Sequence, residues 1–591
     1  MDIGLDIIRP YSYIRNMAHL HKKIKKGRPY YYIREMKRIN GKPKVTSQIY
    51  LGSVDTMLKR LRDAESRGKP LKVASRQFGA LFLLNELEKE LDTIGIIDGI
   101  VSRGARETGP GIGEYFFYAW VNRLIAPRSK RALSDWYKHT AIQEIRPVDL
   151  SELTSQRYWD KWERLSEEDI EKIGEAFFSK VWEQQPLPAE CLLFDTTNYY
   201  TFMNSRTDSE LCQRGHNKAG RHNLRQVGLA LLVDRNTHLP LYYKAYEGNR
   251  HDSKLFRHVV DELFGVMCGF NQTKQRLTVV FDKGMNSDDG IHSIDDHARI
   301  HFITTYSPYY IEELAGIDSK VLSPLDIRKN EERSAEDRIL AYRTRSDLWG
   351  QERTVIVTYN PRTARKRAYT FEKKLESIRE TLLEYRRRYK EQRPHWRNSE
   401  SIVDRYHRDC EKLHISSRYY NLEFNNKDDT PDMSFRKDVY QVTKAEKLFG
   451  RNVIVTDNHD WRTAEIVQLS LDRYGIENQF RSSKSKDHVR LNPFYHWTDS
   501  KIRCHLLTCA IALTVLRLLE LRVNSIRTEK DRLSGKTILE EMSNLDSVWL
   551  WYSGKRKPER MIEVPMKTQS EVLKSFGWEI INGGVLQECV H

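Results

Sequence analysis

The seven cysteines of this 591-residue chain form no Cys-x-x-Cys pair and are odd in number. That pattern argues against a zinc ribbon or a disulfide framework and fits a reducing compartment. Long apolar runs are missing too: the longest, Leu506 to Leu516, is about half of what a bilayer crossing needs. The first ten residues, MDIGLDIIRP, lack the basic-then-apolar order of a signal peptide. Together these absences predict a cytoplasmic protein with no membrane partner. Internal repeats and low-complexity tracts are absent as well. Aromatic poverty, a mark of disorder, does not apply, because the chain holds 20 Phe, 12 Trp and 30 Tyr.

What is in excess is positive charge. Lys and Arg number 98 against 82 acids, a net of +16, which points to a polyanion and most simply to nucleic acid. The excess is concentrated. Residues 15–44 hold eleven Lys/Arg against one acid, and residues 361–397 hold thirteen against five. Those segments net +10 and +8, which leaves −2 for all the rest. At roughly 150 residues per domain the length predicts about four units.

Along the chain, PYYYIREMKRI and KVTSQIYLG read as strands joined by Asn40-Gly41, a hairpin signal. This basic, Tyr-rich region (1–60) fits a phosphate backbone or a solvated edge. Residues 61–185 read as helical: Phe78, Leu81, Leu84 and Leu87 share a face. A helix starting at Ser129 and another near Thr154-Ser155, with Gln156 and Arg157 at its start, suit a helix-turn-helix module or a plain bundle. From 186 to 308 the period changes to strands: CLLFDTTNYYTF, QVGLALLVDRN and LPLYYKAYEG. A helix capped by Asp252, the strand RLTVVFDKG, a helix and the strand HFITTYS follow. That is the element order of a ribonuclease-H-like α/β core.

Residues 309–449 interrupt this order and read as an insertion domain with strands and a long helix. In that helix Leu375, Ile378, Leu382, Tyr385 and Tyr389 form a heptad stripe. Residues 450–525 return to the core, with one helix over TAEIVQLSLDRYGIENQFRSSKS capped by Thr463, and 526–591 form a tail with a hairpin.

Two aspartates occupy matching places: Asp195 closes CLLFD and Asp282 closes TVVFD. Neighbouring parallel strands would bring both carboxylates to one sheet edge. A third acid, Glu477, is expected in mid-helix, with Arg473 and Lys484 on its face. Oxygen ligands without a Cys or His pair suit hard cations, Mg²⁺ or Mn²⁺. Two such ions would activate a nucleophile and stabilise a leaving oxygen in phosphoryl transfer.

On these residues the chain resembles the DDE transposases of bacterial insertion sequences, in the insertion-sequence-four superfamily. That group carries a Y-x2-R-x3-E-x6-K signature. Here Arg473-x3-Glu477-x6-Lys484 keeps the register, while Ser470 stands in the Tyr position. The blocks RGHNKAGRHNLRQVGLALLVD, EGNRHD and RLNPFYHWTDSKIRCHLL follow in the expected order.

The resemblance implies Asp195, Asp282 and Glu477 as catalytic ligands of two metal ions. It implies Arg473, Arg481 and Lys484 as DNA contacts, joined by Lys22, Lys23, Lys25, Gln156 and Arg157 from the flanking regions. The implied partners are double-stranded DNA (terminal inverted repeats and target) and a second copy of the chain in a synaptic dimer, in a bacterial or archaeal nucleoid. Related enzymes hold a flipped base on a Trp of the insertion, and Trp349 and Trp396 are the candidates here. His216, Lys218 and His505 could approach the site, although structural histidines are the default. Two alternatives stay open: a related metal-dependent nuclease without strand transfer, and a non-catalytic DNA-binding protein.

Overall fold

The computed structural model describes residues 17–25, 28–39, 42–66, 70–104, 107–184, 191–204, 206–215, 220–250, 256–262, 276–427, 430–484, 489–491, 494–552, 556–581 and 584–589. His216, Lys218, Asp252 and the side chain of Lys25 lie outside them. Two compact units divide the chain. One comprises 1–185, 199–212 and 481–591, and the other 186–198 and 213–480.

The first unit opens with a three-stranded antiparallel sheet, Met17–Lys25, Arg28–Ile39 and Lys42–Gly52. Ile39 pairs with Lys42, so the expected hairpin forms, with its expected turn residues Asn40 and Gly41 outside the described residues. A helical body follows. Its helix Ile112–Ile125 is buried almost throughout, with Tyr115 to Val121 wholly enclosed. The middle of the helix Asp499–Asn524, from Cys504 to Leu516, is buried on every side and accordingly sits inside the unit.

Two expectations fail here. Pro70–Gln77 is a strand, because its alternating pattern finds a partner far away in sequence, Asp546–Tyr552. That partner also pairs with Glu559–Ile562, so the expected C-terminal hairpin forms and is part of this unit. Ser129 makes no side-chain cap, whereas Thr154 does, accepting from the Arg157 N–H at 3.3 Å.

The second unit is organised by a nine-stranded sheet. Its strands are β1 (Cys191–Thr201, whose last residues fall in the first unit), β2 (Arg225–Asp234), β3 (Pro240–Glu247), β4 (Leu277–Phe281), β5 (Ile300–Tyr306), β6 (Ser323–Pro324), β7 (Leu340–Leu348), β8 (Gln351–Tyr359) and β9 (Arg451–Thr456). Their order is β6-β7-β8-β9-β5-β4-β1-β2-β3. β1, β4 and β5 run parallel to one another, β2 and β3 are antiparallel, and β5 to β6 continue as antiparallel neighbours. β4 is wholly buried, as a parallel strand covered on both faces must be.

Residues 309–449 therefore begin as an extension of this sheet, through β6, β7 and β8. Only then do they leave it, in the helices α1 (Pro361–Lys390) and α2 (Ser399–Lys412) and the hairpin Tyr420–Lys427 with Thr430–Lys437. The heptad stripe of α1 is the core of that body: Leu375, Ile378, Leu382, Tyr385 and Tyr389 pack with Ile402, Tyr406 and Met433. The expected single helix after β9 is two, α3 (Thr463–Asp472) and α4 (Tyr474–Lys484), with the break at Arg473. Arg462, not Thr463, is the N-cap of α3, and it makes no side-chain cap.

Candidate active site

β1 pairs with β4 as Cys191 with Thr278, Leu192 with Val279 and Leu193 with Val280, an offset of 87 (278 − 191). Asp195 and Asp282 are separated by the same 87 (282 − 195). They occupy equivalent positions two residues past the last pair, on strands about 4.8 Å apart. The sequence misjudged one detail, because β1 runs on through Asp195 to Thr201 instead of ending there. β4 does stop at Phe281, and Asp282 caps the short turn Lys283–Met285.

Asp282 is held by three donors, all on Oδ1: the Lys283 N–H at 2.8 Å, the Thr305 hydroxyl at 2.7 Å and Arg473 Nη1 at 3.1 Å. Thr305 arrives from β5, where Phe281 pairs with Thr304. Burial pushes the Asp282 carboxyl up, but the Arg473 charge and these hydrogen bonds outweigh it and hold the group below its ordinary value. Among the described residues, Oδ2 accepts nothing. Asp195 Oδ1 accepts from the Thr196 N–H at 2.8 Å.

Arg473 and Glu477 depend on the junction between α3 and α4. Asp472 is buried and clamped by Arg235 Nε at 2.9 Å, Gln468 Nε2 at 2.7 Å and Arg328 Nη2 at 3.4 Å. α4 then lies against the turn after β2, where Gln479 donates to the His238 carbonyl and Tyr474 meets the His238 ring edge-on. Gly475 is required at that contact, since a Cβ there would overlap the His238 ring. Glu477, in the first turn of α4, is exposed, and its side chain makes no hydrogen bond or ion pair with the described residues.

A cleft of about 900 Å³ opens beside these groups. Asp282, Arg473, Glu477 and Ser470 line one side, while Lys366, Arg367 and Lys374 of α1 and Arg451 line it as well. Asp195 is not among its lining residues. Among the described residues, no group of three or more His, Cys, Asp or Glu side chains is gathered closely enough to hold a metal ion. The donor set nevertheless fits a hard cation: carboxylates only, two of them in register and one with an uncommitted oxygen.

The other expected residues are dispersed. Lys484 closes α4 with Nζ 5.4 Å from the Tyr199 ring, and Arg481 is exposed. Gln156 donates to Asp160 at 2.7 Å and Arg157 pairs with Glu152 at 3.3 Å. Lys22 and Lys23 are both exposed. His505 is buried against His496, and burial keeps it well below the usual histidine range, a neutral core residue. Trp396 belongs to the core under α1, 8% exposed, with Arg388 and Arg405 over its ring. That leaves no face for a flipped base. Trp349 is only half-buried, edge-on to Tyr306 and Phe302, and it takes φ = 53° at the tip of the β7–β8 hairpin. A bulky residue in the left-handed region is a genuine outlier.

The sequence marked residues 361–397 as basic without singling out Lys366, Arg367 and Lys374, and the Asp472 clamp went unread. Lys366, Thr370 and Lys374 recur at i, i+4 and i+8 along one flank of the heptad stripe, which was the available signal for these cleft-lining positions. Nothing local announced the two arginines of the clamp, Arg235 and Arg328, which come from distant segments.

One strand-end carboxylate, Asp282, faces a cleft also lined by Arg473, Lys366, Arg367, Lys374 and Arg451, a setting that suits chemistry on a polyanion. The family comparison names that chemistry. Residues 203–515 match the model of the transposase DDE domain, and the chain belongs to this family of enzymes acting on DNA. Asp282 and Glu477 fall inside the matched span and Asp195 just before it. Among solved structures the chain is similar to a piggyBac transposase synaptic complex with hairpin DNA, at 9% identity and a TM-score of 0.38, over 80% of this chain and 82% of that one. That likeness is too loose to carry any detail. No curated protein matches the chain.

Proposed function

We propose that this protein cleaves DNA at the ends of its own element and joins those ends to target DNA, by in-line phosphoryl transfer on a ribonuclease-H-like core. The observation that carries the reading is the shared offset of 87, which sets Asp195 and Asp282 abreast on parallel strands. The strand order supports the core assignment, since β3-β2-β1-β4-β5 is a meander followed by two parallel crossovers. The spacing Arg473-x3-Glu477-x6-Lys484 supports the Y-R-E-K group, with Ser470 replacing its tyrosine.

Asp195, Asp282 and Glu477 would hold two Mg²⁺ or Mn²⁺ ions, which when bound activate the attacking oxygen and stabilise the leaving one. The chain's own residues do the rest. Arg473 neutralises Asp282 in the ligand-free protein and is placed to turn to a phosphate once that charge is otherwise balanced. Lys366, Arg367 and Lys374 bind backbone phosphates along the cleft. Trp349, strained at its hairpin tip beside the cleft residue Tyr306, is the better of the two tryptophans for receiving an unstacked base. Residues 61–185 act in end recognition, and two copies synapse the two ends.

The test is to incubate the pure protein with labelled terminal inverted repeats, a target plasmid and Mg²⁺. Joined product supports the reading. Cleavage without joining would make it a nuclease, and a mobility shift alone would make it a binding protein.

A further inference from the structure

The N-terminal sheet has two chemically different faces. Residues directly opposite one another on antiparallel strands project to the same side. His21 pairs with Tyr32, Lys23 with Tyr30 and His19 with Arg34, while Tyr32 pairs with Tyr50 and Arg34 with Gln48. One face therefore carries His19, His21, Lys23, Tyr30, Tyr32, Arg34, Gln48 and Tyr50. The rings form a continuous series: His21 to Tyr32 at 6.5 Å, Tyr32 to Tyr50 at 5.1 Å and Tyr50 to Tyr30 at 6.2 Å. Arg34 is braced by Gln48 at 2.5 Å. Tyr50 is 39% exposed, and His21, Tyr30 and Tyr32 are half-buried, so the rings stay open to a ligand. The opposite face takes Ala18, Leu20, Lys22, Ile24, Tyr31, Ile33, Glu35 and Ile49, aliphatic for the most part, with a single tyrosine.

We propose that the aromatic face of residues 17–52 binds single-stranded nucleic acid, its rings stacking on unpaired bases and its cations holding the adjoining phosphates. A row of tyrosines with interleaved Lys and Arg offers both contacts such a strand presents, the π-face of each base and the charge beside it. Duplex DNA offers only the second, because its bases are already stacked. The charge matches the ligand, since residues 15–44 net +10. A three-stranded sheet of this width accommodates about three bases. The site uses none of the three acids and needs no metal, so it is independent of the reading above.

The test measures binding of the full chain, in EDTA, to fluorescent single-stranded 15-mers of dT and of rU and to a 15-base-pair duplex. The two oligomers show whether DNA or RNA is the natural source, and the duplex, which other parts of the chain bind under the reading above, is the control. Tyr32→Ala and Tyr50→Ala should each weaken single-strand binding about tenfold and leave duplex binding unchanged, while Tyr32→Phe and Tyr50→Phe keep both. Lys23→Glu should weaken single-strand binding strongly and Lys22→Glu, on the other face, much less. This exposed pair keeps the test decisive even where an alanine variant fails to fold. Equal loss of single-strand and duplex binding, equal effects of the two lysine changes, or alanine variants that bind like the parent would each overturn the proposal.

Discussion

Asp472→Asn removes one buried charge at the junction that carries both Arg473 and Glu477. The Asp472 side chain is 6% exposed, and its partners differ: Arg235 is 24% exposed and Arg328 69%. Breaking a buried ion pair costs about 3–5 kcal/mol because the surviving charge is stranded. Arg328 can hydrate, so its share is that of a surface pair, at most about 1 kcal/mol. Asparagine still accepts from one donor. A loss of roughly 2–3 kcal/mol follows, or about 5–10 °C in the melting of a unit this size. The larger consequence is geometric. A shift of about 1 Å in a reacting group can cost on the order of a hundredfold in rate, so cleavage should fall further than stability while DNA affinity holds. The assay pairs thermal melting with cleavage rate and end-binding affinity on the same preparation. Melting within 1 °C of the parent, or a loss of DNA affinity with an unchanged cleavage rate, would refute the clamp.

Three further expectations follow from the same geometry. Gly475→Ala should push α4 away from His238 and slow cleavage without weakening DNA binding, and adding His238→Ala should restore the rate; a double variant as slow as the single would remove that contact from the account. Replacing Lys366 and Arg367 by Ala should lower the slope of log affinity against log salt by roughly 2, about 0.9 per phosphate contact, and an unchanged slope would take α1 off the DNA. Glu88, buried and accepting from the Thr93 hydroxyl and the Ile94 N–H, is pushed up to about 7 by burial. Between pH 4.5 and 7 the unfolded chain gives up that proton while the folded chain keeps it, so this group's contribution falls as pH rises. Glu88→Gln should therefore gain on the parent by on the order of 3 kcal/mol across that window in chemical denaturation; a flat difference would contradict it.

The parts legible in the sequence were those written in local periodicity. Asn40-Gly41 between alternating runs marked a hairpin in the sequence, and the apolar runs ending near Asp195 and Asp282 led to the central strands and to their alignment. The heptad stripe from Leu375 to Tyr389 marked a real core face. What stayed hidden was non-local. Pro70–Gln77 becomes a strand only because Asp546–Tyr552 lies beside it, some 475 residues later in sequence. β7 and β8 read as part of a separate domain because the chain gives no sign that they extend a sheet begun at Cys191. Continuous helical propensity masked the break at Arg473, which is set by ion pairs from residues 235 and 328. The face of the N-terminal sheet was unreadable until pairing put Lys22 and Lys23 on opposite sides.

The central claim is that Asp195, Asp282 and Glu477 act as one metal-dependent site for DNA strand transfer. It is tested most directly by measuring joined product, in Mg²⁺ and in Mn²⁺, for Asp195→Asn, Asp282→Asn and Glu477→Gln, with end binding followed in parallel. The account expects all three variants to bind ends like the parent and none to join them. Joining at the parental rate by any one of the three would contradict it.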